Sequence, residues 1–367
     1  MFIPGIIQYS SGGGGGRPFR FEVIVTAGLQ YLAGYSFGYV NDYYVNWGDG
    51  SAEEHIINPF GMKHTYSTGG VYEVSVRGTM EKMVLGQLTS AIIDWGESGD
   101  LFSGFKVFSL ANNPLITDLT ATDPTSLQSL PPGCLSLASL FSNCPNLTTI
   151  PETLFDLYPD YTGSFANTFQ DCSGLTTIPE NLFKNNILVG ASAFDHTFSR
   201  CSALTAIPAN LFKYNTLVSG VFAFNGTFSA CTQLTEVPAG LFDTNVLVGG
   251  FVYTFEQCRK IVNTPDYLFR NNINAINFSN VFFECWYHKI NPLMFYAAGE
   301  KNTRFLNQSV DFSGAFQTQT VPLPDLGTAP ELWSCDYGTG AATHARTFRG
   351  SYTTTLTNYL DIPASWR

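Results

Sequence analysis

The apolar positions of this chain repeat at a fixed spacing through its second half. An anchor phenylalanine is followed at steps of three by Cys, Leu and Ile or Val, and then by Pro and a Leu-Phe pair. The clearest copies are Phe169-Cys172-Leu175-Ile178-Pro179-Leu182-Phe183, Phe198-Cys201-Leu204-Ile207-Pro208-Leu211-Phe212 and Phe228-Cys231-Leu234-Val237-Pro238-Leu241-Phe242. Seven anchors, at 141, 169, 198, 228, 255, 282 and 312, lie 27 to 30 residues apart. Such a period predicts a solenoid, in which each unit stacks on its neighbours.

Spacing inside one unit predicts its local structure. A Phe or Leu lies four residues before each anchor and Cys lies three after it in most copies, as in Phe165-Phe169-Cys172, which is the i, i+4, i+7 pattern of one helix face. The segment Leu175–Ile178 is short, has β-branched residues and ends at Pro179, as is typical of a strand end. We therefore expect a helix, then a short strand with exposed middle threonines, in a parallel ladder.

Alternation near the N-terminus predicts a second kind of structure. Phe19, Phe21, Val23 and Val25 alternate with other residues, as do Tyr72, Val74 and Val76, and this period of two indicates half-buried strands. We divide the chain into a Gly-rich arm (1–17), a β-domain (18–78), the solenoid (79–330) and a C-terminal cap (331–367). The predicted fold class is mixed α/β, with a β-sandwich before a solenoid of short parallel strands.

Composition narrows the class of partner. Only 13% of residues are charged and the formal net charge is −11, which argues against nucleic acid and an anionic membrane surface as partners. The exterior should therefore consist of Ser, Thr, Asn, Gln and Tyr. The N-terminus shows no signal-peptide pattern and the chain has no long apolar run, so we expect synthesis and folding in a cytoplasm without membrane insertion.

The cysteines recur once per repeat, which predicts packing rather than pairing. They occupy one slot at Cys144, Cys172, Cys201, Cys231, Cys258 and Cys285. Stacked repeats would place them in a column of small buried side chains, a common role of free cysteine. Metal sites need clustered ligands, and no such cluster occurs, so we expect no cofactor and no metal.

Motifs for catalysis are absent from the sequence. It contains no HExxH, GxSxG, P-loop or GxGxxG pattern, and His196 falls at a variable position that should be exposed. Asp49 lies in a Gly-Asp-Gly turn, where its side chain should cap the turn; one carboxylate is fewer than the oxygen ligands that calcium requires. We therefore expect a protein that is not an enzyme.

The repeat resembles the leucine-rich repeats of the BspA type, which occur in surface proteins of Bacteroidetes and in many phage and parasite proteins. The shared pattern is Phe-x-x-Cys-x-x-Leu-x-x-Ile/Val, and the Pro-x-x-Leu-Phe ending departs from it. The resemblance covers about half of the chain. It implies adhesion or protein binding as a class of function.

Residues 18–78 resemble a polycystic-kidney-disease (PKD) domain, which is an immunoglobulin-like β-sandwich. The resemblance rests on Trp47-Gly48-Asp49-Gly50-Ser51, on His64-Thr65-Tyr66 and on Gly70-Val71-Tyr72-Glu73-Val74. Gly-Asp-Gly between two β-rich segments is strong turn chemistry. Some PKD-type domains bind calcium, and the resemblance leaves open whether Asp49 contacts such an ion.

Together these features predict a non-enzymatic structural or binding protein of a bacteriophage virion, such as a tail or capsid decoration or a fibre that recognises the host surface. A BspA-type cell-surface adhesin is the alternative, and a carbohydrate-active enzyme carrying these modules is a third. The expected partners are other virion proteins or a host-surface protein or glycan, with a homo-oligomer as a further option. Docking would use the apolar arm, through Phe2, Ile3, Pro4, Ile6, Ile7 and Tyr9.

Two surfaces of the solenoid compete as the binding face. One consists of the middle positions of the strands. These candidates are Thr148, Thr149, Thr176, Thr177, Thr205, Thr235 and Glu236. The other consists of the segments after the Leu-Phe pairs, such as 184–189 and 213–218, on the opposite side. The pattern alone does not choose between them.

Overall fold

The computed structural model describes residues 17–26, 28, 30–33, 41–57, 62–96, 107–123, 126, 128–130, 134–159, 161–187, 190–318, 325–350 and 355–367. The predicted docking residues Phe2, Ile3, Pro4, Ile6, Ile7 and Tyr9 lie outside this part of the chain.

An antiparallel β-sheet domain spans residues 19–109. Its main sheet contains β1 (Phe19–Val25), β3 (Asn41–Asn46), β4 (Glu54–Ile56), β6 (Gly70–Met80) and β8 (Thr89–Asp94), in the order β4-β3-β6-β1-β8. A two-stranded sheet pairs β2 (Gln30–Ala33) with β5 (Met62–Thr65), and β7 (Lys82–Val84) pairs in parallel with β9 (Val107–Ser109).

The predicted alternation of the first strand is confirmed. Phe19, Phe21, Val23 and Val25 are buried and Ile24 is exposed, because successive side chains of a strand point to opposite faces. The sheet continues past residue 78, the end that we expected for the β-domain. Strand β8 pairs with β1 and closes one side of the main sheet.

The predicted helix of each repeat is wrong, because the described part of the repeat region contains no α-helix. Residues such as Asn167 (φ 57°) and Asp171 (φ 61°) adopt the left-handed conformation four residues apart, and this breaks the chain into turns. The N–H of Phe169 donates to the carbonyl of Thr197 in the next repeat at 2.9 Å rather than along a helix. The α part of the predicted mixed α/β class is therefore not observed. The region after the β-sheet domain is largely irregular.

The predicted short strands are present only as isolated contacts. Leu175 and Ile178 are buried and Thr176 and Thr177 are exposed, as expected. Parallel bridges join Asp118 to Thr149 and Glu236 to Asn263, among others, so the ladder is a series of single bridges rather than continuous strands. Near the C-terminus, β10 (Val310–Asp311) pairs in parallel with β11 (Ala342–Thr343), followed by short 3-10 helices such as Tyr359–Asp361 and Ala364–Trp366.

A large cluster of buried aromatic side chains holds the repeat region together. The anchor phenylalanines stack face to face from one repeat to the next, with ring centroids 5.2 to 5.8 Å apart from Phe141 to Phe282. A second column begins at Phe165 and a third at Phe155, each with one ring per repeat. Aromatic pairs contribute beyond their buried area, so adjacent repeats stabilise each other.

The repeat cysteines form a parallel column beside the anchor rings. Each thiol donates to a carbonyl of the preceding repeat, as from Cys201 to Phe169 at 3.2 Å and from Cys231 to Phe198 at 3.2 Å. All six are free and buried. Burial is the main cause that raises the pKa of the Cys231 thiol to about 12, which suppresses the reactive thiolate.

We expect thiol labelling to separate these cysteines from Cys335. Cys335 is the one cysteine of the eight that is not fully buried. A maleimide should therefore modify Cys335 alone in the native protein, and all eight after denaturation, as counted by intact-mass spectrometry. Rapid native labelling of Cys201 or Cys231 would contradict the buried column.

Candidate functional site

A column of asparagines lies inside the segments that we predicted as variable. Asn186, Asn215, Asn245 and Asn272 are buried at the same repeat position, three residues after each Leu-Phe pair. The Nδ2 of Asn245 donates to the carbonyls of Phe212 (3.1 Å) and Asn215 (3.0 Å) in the preceding repeat. These amides join each turn to the corresponding turn of the preceding repeat.

Arg304 ends this asparagine column. It is buried, and its Nη2 donates to the carbonyls of Phe269 (3.3 Å) and Asn272 (2.8 Å), as an asparagine does in the other repeats. Burial lowers the pKa of the Arg304 guanidinium to about 10, which leaves it charged at neutral pH. The column is therefore structural rather than a binding site.

Buried threonines form a further column that the sequence prediction missed. Thr168, Thr197, Thr227 and Thr254 each precede an anchor Phe and donate to a carbonyl one repeat earlier, as from Thr197 to Phe165 at 2.9 Å. Their recurrence one residue before the anchor is a visible signal in the sequence. The side chains that repeat most regularly are thus buried and serve to pack one repeat against the next.

His288 replaces the Leu of the repeat and is buried. Its ring packs against Phe282 with centroids 4.4 Å apart, and its Nε2 lies 3.3 Å from Thr264 Oγ1. Burial lowers the pKa of His288 to about 3, so the ring is neutral and serves the core.

We expect His288→Leu to flatten the pH dependence of stability. The unfolded His takes up a proton below about pH 6.5 and the folded His does not until far lower pH, so the wild type loses stability as pH falls through this range. The free energy of unfolding of the variant, relative to that of the wild type, should therefore be about 2–3 kcal/mol higher at about pH 4.5 than at neutral pH. Urea unfolding at both pH values measures this, and an equal effect at both would contradict it.

The fold places the candidate binding residues from the middle of the predicted strands on the surface. Thr148, Thr149, Thr176, Thr177, Thr205, Thr235 and Glu236 are all exposed. Neighbouring repeats hold them in register, since Thr148 N and Oγ1 donate to Thr117 O at 2.8 and 2.9 Å and Thr205 N donates to Thr176 O at 3.4 Å. We call this set of seven side chains the threonine face.

Amides and carboxylates border the threonine face on the Pro side of each repeat. Asn181 Nδ2 donates to Glu152 at 2.6 Å, and Asn210 Nδ2 donates to Glu180 at 2.5 Å, each one repeat back. On the opposite border, between the Cys and the Leu or Ile of the repeat, Lys260 Nζ donates to Gln233 Oε1 at 2.6 Å. The border therefore offers hydroxyls, amides and a few carboxylates, which are groups that hydrogen-bond to sugars and to polypeptide backbone.

The second predicted surface is only partly exposed. In segment 184–189, Asn186 is buried and Ile187 is exposed; in segment 213–218, Asn215 and Val218 are buried while Leu217 is exposed. Its exposed positions are mixed, since Lys213, Tyr214 and Thr216 are exposed beside Leu217.

Asp49 caps its turn, as the sequence predicts. Its carboxylate accepts from the Ser51 N–H at 3.0 Å and lies 2.8 Å from His64 Nε2. Burial opposes ionisation, but the hydrogen bonds from Ser51 and His64 outweigh it and lower the pKa of Asp49 to about 2. His64 stacks on Trp47 with ring centroids 4.7 Å apart, which fixes the turn.

His196, which we predicted to be exposed, is half-buried. Its Nδ1 lies 2.6 Å from Asp195 Oδ1.

Comparisons of the chain with protein-family models, with curated proteins and with solved structures gave no match. Among the described residues, no group of three or more His, Cys, Asp or Glu is arranged to hold a metal ion. No helix in that part of the chain has the length and apolar character needed to cross a bilayer.

Proposed function

We propose that the chain is a non-enzymatic binding protein whose threonine face recognises a protein or glycan on a cell surface. The observation that carries the proposal is the exposure of these hydroxyls in register on stacked repeats, beside columns of Phe, Cys, Asn and Thr that are fully used in packing. A row of hydrogen-bonding groups in which only Glu236 carries a charge suits an extended ligand.

The finer fold is part of this proposal. An immunoglobulin-like PKD sandwich followed by a BspA-type leucine-rich-repeat solenoid is supported by the two antiparallel sheets of the N-terminal domain and by the parallel bridges between repeats. Buried Trp47 and Tyr66, the latter donating to the Trp47 carbonyl at 3.1 Å, support the PKD motif.

We place this binding activity on a bacteriophage virion whose host is a gut bacterium of the Bacteroidetes type. The resemblance of the repeats and the low charge of the exterior support this location. Purified virions should contain the chain by mass spectrometry. Its absence from virions, together with its release by proteolysis of intact uninfected cells, would favour the adhesin instead.

Binding by the threonine face is tested with fluorescently labelled protein and intact host cells. We expect a variant with Thr148→Glu, Thr177→Glu and Thr205→Glu to bind cells about tenfold more weakly or worse. Each hydrogen bond removed at a buried interface, and each charge desolvated there, costs about 1–3 kcal/mol. Thr65→Glu, on an exposed position of β5, is the control. Equal binding by the wild type and both variants, with unchanged melting temperatures, would overturn the proposal.

A further inference from the structure

An apolar stripe runs along the side that carries the segments after the Leu-Phe pairs. Nine large apolar side chains there are between 38% and 59% exposed. They are Ile187, Leu217, Val221, Phe222, Val246, Leu247, Ile273, Ile276 and Leu306. We call this set the apolar stripe.

The repeat register places most members of the stripe at two recurring positions. Leu217 and Leu247 each follow a column asparagine by two residues, and Leu306 follows Arg304 by two. Ile187, Val246 and Ile273 each follow a column asparagine by one. Val246, Ile273 and Leu306 also line one surface hollow of about 790 Å³, together with polar side chains such as Arg270 and Glu300. Six of the nine members therefore recur one or two residues after the column position, from Ile187 to Leu306, and exposed polar side chains such as Thr216 and Asn274 lie among them.

The stripe is large enough to be an interface. Taking roughly 120 Å² for a Val, Leu or Ile side chain, at about 30 Å² per carbon, its nine members expose on the order of 500 Å². That equals the about 300–600 Å² of the largest apolar patch on a typical monomer, which is often functional. It also matches the apolar share, about 65% in homodimers, of the roughly 800 Å² that each partner contributes to a standard protein interface.

Charged side chains beside the apolar stripe indicate which partner covers the stripe. Lys213 and Asp243 are exposed at corresponding positions of adjacent repeats, four residues before Leu217 and Leu247. Thr244 Oγ1 donates to the Lys213 carbonyl at 2.8 Å, which places the two repeats side by side. Neither side chain forms an ion pair with another described residue. By contrast, Lys184 pairs with Asp156 and Arg270 with Glu300.

We infer that the apolar stripe is the interface with a second copy of this chain, packed antiparallel about a two-fold axis between the repeats of Leu217 and Leu247. A two-fold interface presents the same patch on both sides. In this arrangement Lys213 lies opposite the partner's Asp243, and the reverse contact follows by symmetry. The part of the stripe from Ile187 to Ile273 in one copy thus covers the same part of the other, with two ion pairs flanking it, and Leu306 lies at its edge.

Sedimentation equilibrium of the full chain, from about 1 to 100 µM, tests the inference. The wild type should be a dimer, and Leu217→Asp with Leu247→Asp should be a monomer of unchanged circular dichroism and melting temperature. Thr177→Asp, on the threonine face, should remain a dimer. A monomeric wild type over the whole range would overturn the inference, and so would dimerisation of the doubly substituted variant.

A charge exchange tests the two-fold arrangement and keeps the test independent of folding. Lys213→Asp alone sets two carboxylates against each other at both flanking ion pairs, so the dimer dissociation constant should rise about tenfold. Adding Asp243→Lys restores opposite charges and should bring the constant back near the wild-type value. Additive weakening by the two substitutions would overturn the two-fold arrangement, because it would show that Lys213 and Asp243 do not pair across the interface.

Discussion

Asn245→Asp is expected to unfold the repeat array at neutral pH or to lower its free energy of unfolding by about 4 kcal/mol or more. The substitution changes almost no volume. It removes the two N–H donors that bond to Phe212 and Asn215 and sets a buried carboxyl against those carbonyls. The column asparagines already keep their Oδ1 atoms without hydrogen-bond partners, so nothing nearby stabilises the added charge.

The sign of the pH dependence follows from the same burial. Burial raises the pKa of the new Asp above the value of about 4 that it has in the unfolded chain. The variant thus loses stability as pH rises above about 4. Urea unfolding should show that its free energy of unfolding falls further below that of the wild type from pH 4 to 7. Asn274→Asp is the matched control, since Asn274 is exposed in the next repeat. Equal effects of the two substitutions would show that the column is not buried as described.

Phe198→Ala should cost about 3–5 kcal/mol of unfolding free energy. The ring is fully buried and stacks on Phe169 at 5.5 Å and on Phe228 at 5.7 Å. Its removal opens a cavity and breaks the stacking on both neighbouring repeats. Because stability in such arrays is carried by nearest-neighbour interfaces, we expect the urea transition to move to lower concentration and to broaden.

Tyr287→Ala provides the comparison for this large aromatic deletion. Tyr287 is exposed, and surface substitutions of this kind usually change stability by about 0.5 kcal/mol or less. If Phe198→Ala were as mild as Tyr287→Ala, the stacking of rings between repeats would not hold in solution.

The sequence was sufficient to predict which positions face the core. Phe169, Cys172, Leu175 and Ile178 are buried and Thr176 lies outside, as the period requires. It failed on local conformation because spacing of four residues fits a helix and also fits successive four-residue turns. Asn167 and Asp171 tolerate the left-handed conformation that makes those turns, but Ala230 adopts it too, without such a signal.

The threonine face and the cysteine column were predicted as sets, while the columns of buried asparagines and threonines were not. Asn215 and Asn245 recur three residues after each Leu-Phe pair, yet they lie among variable residues, where a polar side chain would ordinarily be exposed. Their burial depends on carbonyls that only a neighbouring repeat supplies. The sequence did not reveal the apolar stripe for a related reason. Leu217 and Val218 are adjacent apolar residues, and only the fold shows which of them is exposed.

The central claim is that stacked columns join the repeats into one scaffold that leaves the intervening side chains free for recognition. Native-state hydrogen exchange with mass spectrometry tests it most directly. The amides of Phe169, Phe198, Phe228 and Phe255, each bonded to or stacked beside the next repeat, should exchange slowly and lose protection together as urea is added. Fast exchange at these amides, or protection that disappears separately in each repeat, would contradict the account.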